Sequence, residues 1–255
     1  MFTRAIVKRP SPSMIHGITQ AGLGQPDYTL ALKQHDAYIH ALQTCGLEVT
    51  VLPAEDAFPD AVFIEDTALL TPNGAFITHP GAPERRGETI STRQAVSAFY
   101  PPKQMVDLQP PGTLDAGDVM MVGTHFFIGL SERTNPAGAQ TLIQTLEGWG
   151  LTGSTVDMPG ILHLKTGVVY LEHKHLLMVE AFADAPCFSG YQRHIVPQEE
   201  AYAGNSVWVN DRVLVPDGYP QVRRIIEAMG YETLPLDMSE FRKLDGGLSC
   251  LSLRF

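Results

Sequence analysis

The sequence predicts an α/β repeat protein in which five strand–helix units are arranged around an axis. The first observation is that strand, turn, strand, loop and helix recur in that order along the chain. The second is their spacing, because successive units begin roughly 40 to 50 residues apart, within the range of repeat arrays. The third is that the last copy is only half a unit, which the N-terminal strand could complete so that no bare sheet edge is left.

The N-terminal segment predicts a strand, a long loop and a helix. Residues 2–8 are typical of a strand, and residues 9–28 form a loop rich in glycine and proline. Loops of that length in compact domains are usually lids or insertions, and two closely spaced glycines could serve as hinges. Apolar residues at helical spacing then predict a helix over 30–44, which Gly46 ends.

The first complete unit begins with a predicted strand over 63–70. A Pro-Asn-Gly turn at 71–75, a second strand at 76–78 and a helix near 88–99 follow. The second unit starts at Asp118 and carries its helix near 135–149. The same order of elements in both units is what indicates a repeat.

The remaining units follow the same order. The third starts at Gly167, and the fourth starts at Asn205 and carries its helix near 221–229. The half unit is a predicted strand over 248–255 that includes Cys250. Gly246 and Gly247 precede it and predict a sharp or left-handed turn, or a close approach to the backbone.

Composition limits the function classes. The chain has 255 residues and a net charge of -10, which disfavours nucleic acid and anionic membranes as partners. No apolar run reaches the ~18 residues of a membrane span, and the N-terminus lacks a secretory signal. Three cysteines are too few for a disulfide scaffold, so a cytoplasmic protein is expected. We expect one domain over residues 1–255, because no segment resembles a linker.

Polar residues stand just before the inner strand of each predicted unit. Converging inner strands would bring them together although they are distant in sequence. Carboxylates among apolar neighbours are costly to bury without a counter-charge, so this cluster predicts a bound cation, either a metal or an organic one. The residues are Asp60, Glu65, Asp66, Asp115, Asp118, His163, Asn205 and Cys250.

Most familiar catalytic motifs are absent from the sequence. It contains no H-E-x-x-H zinc motif and no G-x-S-x-G nucleophile turn, and Gly22-Leu23-Gly24 lacks the third glycine of a dinucleotide loop. His173 and His175 flank a predicted turn and make a poor metal site. No metal and no cofactor is therefore expected.

A thiol and a histidine remain as candidate catalytic groups. Cys250 is a candidate nucleophile that needs activation, and His163 is a candidate acid and base. The alternatives are a packing cysteine on an apolar strand and a hydrogen-bonded core histidine. Asp66 and Asp115 could bind a planar guanidinium through charge-assisted hydrogen bonds. Arginines such as Arg85 and Arg133 could hold a carboxylate or could be solvated surface charges.

These residues together resemble the guanidino-group-modifying superfamily, and most closely the dimethylarginine dimethylaminohydrolases. The resemblance runs essentially end to end, with the family's motifs in the family's order. They are P-D-x-V-F-x-E-D, R-R-G-E-T, L-D-A-G-D-V-M-M-V-G, L-H-L-K-T-G and K-L-D-G-G-L-S-C-L-S-L-R-F.

The resemblance implies a fold, a reaction and a set of site residues. The fold is a five-bladed α/β propeller of the pentein type, closed by the N- and C-terminal strands. The reaction is hydrolysis of N-methylated arginine to citrulline through an S-alkylthiouronium intermediate. The implied catalytic residues are Cys250, His163 and Asp115, and the implied substrate-binding residues are Ile18, Asp60, Glu65, Asp66, Arg85, Arg133 and Leu244.

Two departures from the related arginine deiminases favour methylated arginine over arginine as substrate. Those enzymes carry an acidic residue two positions after the catalytic histidine, where this chain has Lys165, and the chain has no room for their extra helical domain. The alternatives are an arginine deiminase, another amidine hydrolase of the superfamily, or a catalytically silent methylarginine-binding protein. A homodimer is compatible with the sequence.

Overall fold

The computed structural model describes residues 1–255 and contains fifteen strands and six α-helices. The strands are β1 (Arg4–Lys8), β2 (Glu48–Leu52), β3 (Ala68–Thr71), β4 (Gly74–Ile77), β5 (Met105–Asp107), β6 (Val119–Val122), β7 (His125–Leu130), β8 (Thr152–Asp157), β9 (Val168–Tyr170), β10 (His175–Met178), β11 (Gln192–Ile195), β12 (Val207–Val209), β13 (Arg212–Pro216), β14 (Glu232–Leu236) and β15 (Leu253–Arg254). The helices are α1 (Tyr28–Thr44), α2 (Glu88–Val96), α3 (Pro136–Gly148), α4 (Leu164–Gly167), α5 (Pro220–Ala228) and α6 (Ser239–Arg242).

The strands form five three-stranded sheets of the same design. In each sheet an inner strand pairs antiparallel with a middle strand, and the middle strand pairs parallel with an outer strand. The sheets are β15-β1-β2, β3-β4-β5, β6-β7-β8, β9-β10-β11 and β12-β13-β14. Ile6 of β1 pairs with Leu253 of β15. The two ends of the chain therefore complete one sheet, and the expectation that the N-terminal strand supplies the missing half unit is confirmed.

A helix connects the middle strand to the outer strand in four of the five sheets. The helices are α1, α2, α3 and α5, while short 3-10 turns make this connection in the fourth sheet. At the start of α1 the Asp27 side chain accepts a hydrogen bond from the Leu30 backbone, and Gly46 ends the helix in the left-handed region with φ of 87°. None of the helices combines the length and the apolar composition that crossing a membrane requires.

Five apolar clusters hold the sheets together, and each is shared by two neighbouring sheets. Ile6 and Ile77 belong to the cluster between the first two sheets in chain order. The largest cluster joins the first sheet to the last and includes Val7, Tyr38 and Val209. Every sheet thus has a packed neighbour on both sides, which arranges the five sheets around a common axis.

The structure corrects the predicted start of two inner strands. Residues 63–70 and 248–255 were expected to be strands, but each begins as a 3-10 turn, Ile64–Thr67 and Ser249–Leu251. Comparable turns precede the other inner strands, at Ala116–Asp118, α4 and Gln198–Gly204. Short apolar segments do not distinguish a strand from a helical turn by periodicity. Cys250 therefore lies in a turn before the strand.

The outer strand of each sheet was missing from the sequence prediction. The outer strands are half exposed, as β2 illustrates with two exposed and three partly buried residues. Each forms by pairing in parallel with a middle strand that lies before the connecting helix. Pairing between distant segments leaves only a weak local signal in the sequence.

Candidate active site

The helical turns before the inner strands meet at one end of the axis and surround a pocket. Its volume is about 390 Å³, which lies in the range of small-molecule sites. Nine of the ten catalytic and substrate-binding residues that the family resemblance implied line this pocket, and Glu65 is the exception. The nine are Ile18, Asp60, Asp66, Arg85, Asp115, Arg133, His163, Leu244 and Cys250.

Cys250 is presented to the pocket by a tight turn. Its Sγ accepts a hydrogen bond from the Gly247 backbone at 3.4 Å. The left-handed residue of the turn is Asp245, with φ of 58°, and not either glycine. Gly246 and Gly247 are needed for close packing, since a Cβ atom would lie 2.1 Å from Phe63 and 2.4 Å from Asn205 respectively.

The surroundings of Cys250 within the chain keep its thiol protonated at neutral pH. Burial, together with the negative charges of Glu65 and Asp66, raises the pKa of Cys250 to about 12. The nucleophilic form is the thiolate, so the thiol needs a positive charge nearby before it can react.

His163 stands directly before α4 and its imidazole is fixed by Asp115. Nε2 of His163 lies 3.1 Å from Oδ2 of Asp115, whose other oxygen accepts a hydrogen bond from the Gly81 backbone. Asp118 holds the same turn by accepting a hydrogen bond from the Leu164 backbone at 3.0 Å. This arrangement leaves Nδ1 of His163 without a hydrogen-bond partner in the chain.

The imidazole of His163 is charged at neutral pH. Burial opposes the charge, but Asp66, Asp115 and Asp118 outweigh it and raise the pKa of His163 to about 9. The sequence left open whether this histidine is a packed core residue. Its position in the pocket wall and its raised pKa are typical of a proton carrier.

Asp66 is a buried carboxylate held between two positive groups. Burial alone would raise its pKa, but His163 and the guanidinium of Arg85 hold the pKa of Asp66 below its usual value. One oxygen accepts a hydrogen bond from Arg85 and the other from the Gly117 backbone at 3.0 Å. Asp66 therefore remains ionised and can attract a cation in the pocket.

Replacing Asp66 with asparagine should mainly impair recognition of a cationic substrate. We expect kcat/KM to fall roughly 10- to 100-fold, which corresponds to the free energy of one hydrogen bond to a charged group. Steady-state kinetics on the two proteins measures the change. Asp107→Asn is a matched control because Asp107 pairs with Arg93 outside the pocket. An unchanged kcat/KM in Asp66→Asn would reject the assigned role.

The two predicted arginines differ in how much of the guanidinium is free. Arg85 is buried and already donates hydrogen bonds to Asp66, Glu88 and the carbonyl of Phe63. Arg85 is therefore not a solvated surface charge. Arg133 also lines the pocket, is half-buried, and its guanidinium makes no hydrogen bond within the chain. Arg133 is the better placed of the two to bind a substrate carboxylate.

The outer part of the pocket offers oxygen atoms to an ammonium group. The backbone N–H of Ile18 donates to both oxygens of Asp60 at 3.1 Å, which fixes the loop against this carboxylate. Burial raises the pKa of Asp60. The carbonyl oxygens of Ile18 and Leu244 accept no hydrogen bond within the chain, so both remain available.

Glu65 faces away from the pocket into a second cavity on the axis, of about 130 Å³. Its carboxylate pairs with Lys165 at 2.6 Å and with Arg254 at 3.4 Å, and it accepts a hydrogen bond from Ser249 at 2.7 Å. Glu65 was predicted to bind substrate, but its carboxylate has no direct access to the pocket, so the structure does not support this role. Lys165 likewise points away from His163.

One group of side chains has the geometry of a metal site. Ligand atoms of Asp66, Asp115 and His163 lie within 4.8 Å of one another. However, Asp66 is ion-paired with Arg85, and His163 carries a proton that a metal would have to displace. The donor set is better matched to an organic cation.

Sequence reasoning missed the residues that allow this close packing. At Gly117 a Cβ atom would lie 2.7 Å from Asp66 and 2.8 Å from His163, so only glycine lets the two side chains approach. Asp118 was noticed as a residue that starts a unit, but not as a support for His163. The D-A-G-D run that contains Gly117 and Asp118 was the available signal.

Comparison with known proteins identifies close relatives over the full length. A family model described as N,N dimethylarginine dimethylhydrolase, eukaryotic, matches residues 25–183. The N(G),N(G)-dimethylarginine dimethylaminohydrolase of Pseudomonas aeruginosa is 50% identical over 255 residues, which is 100% of both chains. The protein of that name from Streptomyces coelicolor is 35% identical over 252 residues, 98% of this chain and 96% of its own.

Solved structures agree with these sequence relationships. The Pseudomonas aeruginosa enzyme, as a cysteine-to-serine mutant complexed with citrulline, matches with a TM-score of 0.98 and 49% identity over 100% of both chains. The N-terminal domain of ArgZ, a cyanobacterial arginine dihydrolase, shares the fold at 19% identity with a TM-score of 0.88, covering 100% of this chain and 97% of that domain. The chain is thus similar over its full length to two enzymes of one name, matches their family model and shares the pentein fold. It therefore belongs to the dimethylarginine dimethylaminohydrolase family.

Proposed function

We propose that this protein hydrolyses N(omega)-methylated arginine to citrulline and the corresponding methylamine, with Cys250 as the nucleophile. The observation that carries the proposal is that a thiol, a histidine paired with Asp115 and a carboxylate paired with Arg85 line one pocket, at Cys250, His163 and Asp66. Such a pocket is complementary to a guanidinium that must be attacked and must then lose an amine. The citrulline complex of the related Pseudomonas enzyme supports the same reaction.

The first half of the reaction forms a covalent intermediate. The Cys250 thiol gives its proton to solvent when the guanidinium binds, and the thiolate attacks the guanidinium carbon to form a C–S bond. His163 then gives its Nδ1 proton to the methylated nitrogen, the C–N bond breaks and the amine leaves. The product on the enzyme is an S-alkylthiouronium.

The second half of the reaction releases citrulline. His163 is now neutral and removes a proton from water, and the resulting hydroxide attacks the same carbon. The C–S bond breaks, the electron pair returns to Cys250 as thiolate, and the hydroxyl gives its proton to this thiolate, which restores the thiol and forms the neutral urea group of citrulline. Asp115 holds the imidazole in one orientation during both proton transfers.

The other end of the substrate fits the outer part of the pocket. We assign the α-carboxylate mainly to the unpaired guanidinium of Arg133, with Arg85 contributing positive charge from the pocket wall. The α-ammonium is assigned to Asp60 and to the carbonyl oxygens of Ile18 and Leu244. These contacts would hold an amino acid by both charged ends and place its side chain over Cys250.

We expect the substrate's own charge to promote ionisation of the thiol. A guanidinium at ~4 Å contributes on the order of 4 kcal/mol at an effective dielectric of ~20, which lowers the pKa of Cys250 from about 12 to roughly 9 and makes the reactive thiolate a minor but accessible form at pH 7. Ultraviolet titration of thiolate in the free enzyme, corrected with Cys250→Ser, should therefore show a protonated thiol at pH 7. A thiol already ionised at pH 7 without ligand would remove the need for substrate assistance.

Product analysis tests the proposed function. Asymmetric dimethylarginine, monomethylarginine, arginine and agmatine are each incubated with the protein, and citrulline and released amine are quantified. Citrulline with dimethylamine or methylamine is the expected result. Citrulline and ammonia from arginine alone would instead identify an arginine deiminase, and binding without citrulline would identify a silent binding protein.

A cytoplasmic location is proposed on the state of the cysteines. Cys45, Cys187 and Cys250 are all free thiols, and the mechanism requires Cys250 to stay reduced. Reducing compartments keep thiols in that state. The homodimer remains a prediction, which the molar mass in solution would test.

A further inference from the structure

We propose that Asn205 is a positioning residue that fixes the turn of the nucleophile to the turn of the acid. This inference rests on the proposed roles of Cys250 and His163. Asn205 follows the turn Gln198–Gly204 in another unit and does not line the substrate pocket. It therefore acts through its neighbours and not through substrate.

The side chain of Asn205 connects the two catalytic turns directly. Its Nδ2 donates to the carbonyl of Lys165 at 2.8 Å, two residues after His163. Its Oδ1 accepts from the backbone N–H of Ser249 at 2.9 Å, one residue before Cys250. One amide group therefore holds a backbone atom of each turn.

A second bridge runs parallel to the first. Ser249 Oγ accepts from Asn205 at 3.0 Å and donates to Glu65 at 2.7 Å, and Glu65 pairs with the ammonium of Lys165 at 2.6 Å. Asn205, Ser249 and Glu65 are each at least 95% buried. A buried network with its donors and acceptors satisfied holds its members in one arrangement.

The backbone before Cys250 packs closely against the side-chain amide of Asn205. A Cβ atom at Gly247 would lie 2.4 Å from Oδ1 of Asn205, so glycine is required where the asparagine packs. The N–H of the same Gly247 donates to Sγ of Cys250. Loss of Asn205 would open space beside this glycine and release the turn that aims the thiol.

Misplacement of the thiol relative to the acid should slow chemistry more than binding. A shift of about 1 Å in a catalytic group can cost ~10²-fold in rate. We expect Asn205→Ala to lower kcat roughly 10- to 100-fold while KM changes less than ~3-fold. Ser249→Ala keeps the backbone bond to Asn205, so its expected loss is smaller, roughly 3- to 10-fold.

Single-turnover quenching with asymmetric dimethylarginine separates positioning from loss of folded protein. The rate constant for adduct formation on Cys250 reports positioning, whereas the adduct amplitude reports the active fraction. Asn210→Ala is the matched control, because Asn210 also bridges two segments, with hydrogen bonds to Phe2 and Cys45, but lies away from the pocket.

Each outcome decides the inference. A slower rate constant at full amplitude in Asn205→Ala, with a normal rate constant in Asn210→Ala, is the expected result. An unchanged rate constant in Asn205→Ala, or an equal slowing in both variants, would overturn the inference. If Asn205→Ala does not fold, a normal rate constant in Ser249→Ala would overturn the inference. A wild-type protein that turns over without an adduct on Cys250 would instead overturn the proposed function, and this inference with it.

Discussion

Replacing Cys250 with serine is expected to lower kcat by at least ~10⁴-fold. A hydroxyl is a far weaker nucleophile than a thiolate, and the burial and carboxylates that raise the pKa of the Cys250 thiol to about 12 would also keep a hydroxyl protonated. The serine can still accept the Gly247 hydrogen bond, so the turn should be preserved. Asymmetric dimethylarginine should bind the variant without forming an adduct, as mass spectrometry of quenched samples would detect.

Cys187→Ser is the matched control for this experiment, because Cys187 is an exposed thiol outside the pocket. It should turn over at the wild-type rate. Residual activity in Cys250→Ser above about one hundredth of the wild-type value, with no adduct trapped on wild-type protein, would refute covalent catalysis by this residue.

Replacing His163 with glycine is expected to slow turnover by at least ~10²-fold, because the leaving amine loses its proton donor. The wild-type rate should also depend on pH through this residue. With a pKa of about 9, His163 is protonated at neutral pH, so the rate that needs imidazolium should fall as pH rises through about 9. The variant should lose this basic limb, as initial rates measured from pH 6 to 10 would reveal.

Two controls separate proton transfer from structural damage. Added imidazole should restore part of the activity of His163→Gly, since the deleted side chain leaves space of that shape. His125→Asn changes a histidine that contacts Thr152 and Ser154 outside the pocket and should leave the profile unchanged. A His163→Gly protein at full rate would return His163 to the role of a packed core residue.

The order of the five units could be predicted because local sequence patterns indicate each strand, turn and helix. Alternating apolar residues, turn residues and helical spacing identified most middle strands and α1, α2, α3 and α5 within a few residues. The outer strands and the helical turns were not predicted. They depend on parallel pairing across a helix and on the packing of five turns against one another.

The site was predicted in its members but not in its contacts. Cys250 and His163 were found because a reactive thiol and a histidine stood at corresponding points of different units. Local sequence patterns did not indicate that Arg85 is already paired with Asp66 and Glu88, or that Glu65 faces the opposite cavity. Which partner a charged side chain takes depends on distances between units that are far apart along the chain.

The sequence by itself determined the repeat order, the residue types available for chemistry and, through whole motifs, the family. Only the tertiary structure decided how those residues act. In the folded chain Asp66, Asp115 and His163 lie close together and the pKa of His163 is raised. Asn205 connects the turn of His163 to the turn of Cys250. The physical reason is that pKa values and hydrogen-bond partners are set by burial and by charges from other units, which local patterns in one segment do not encode.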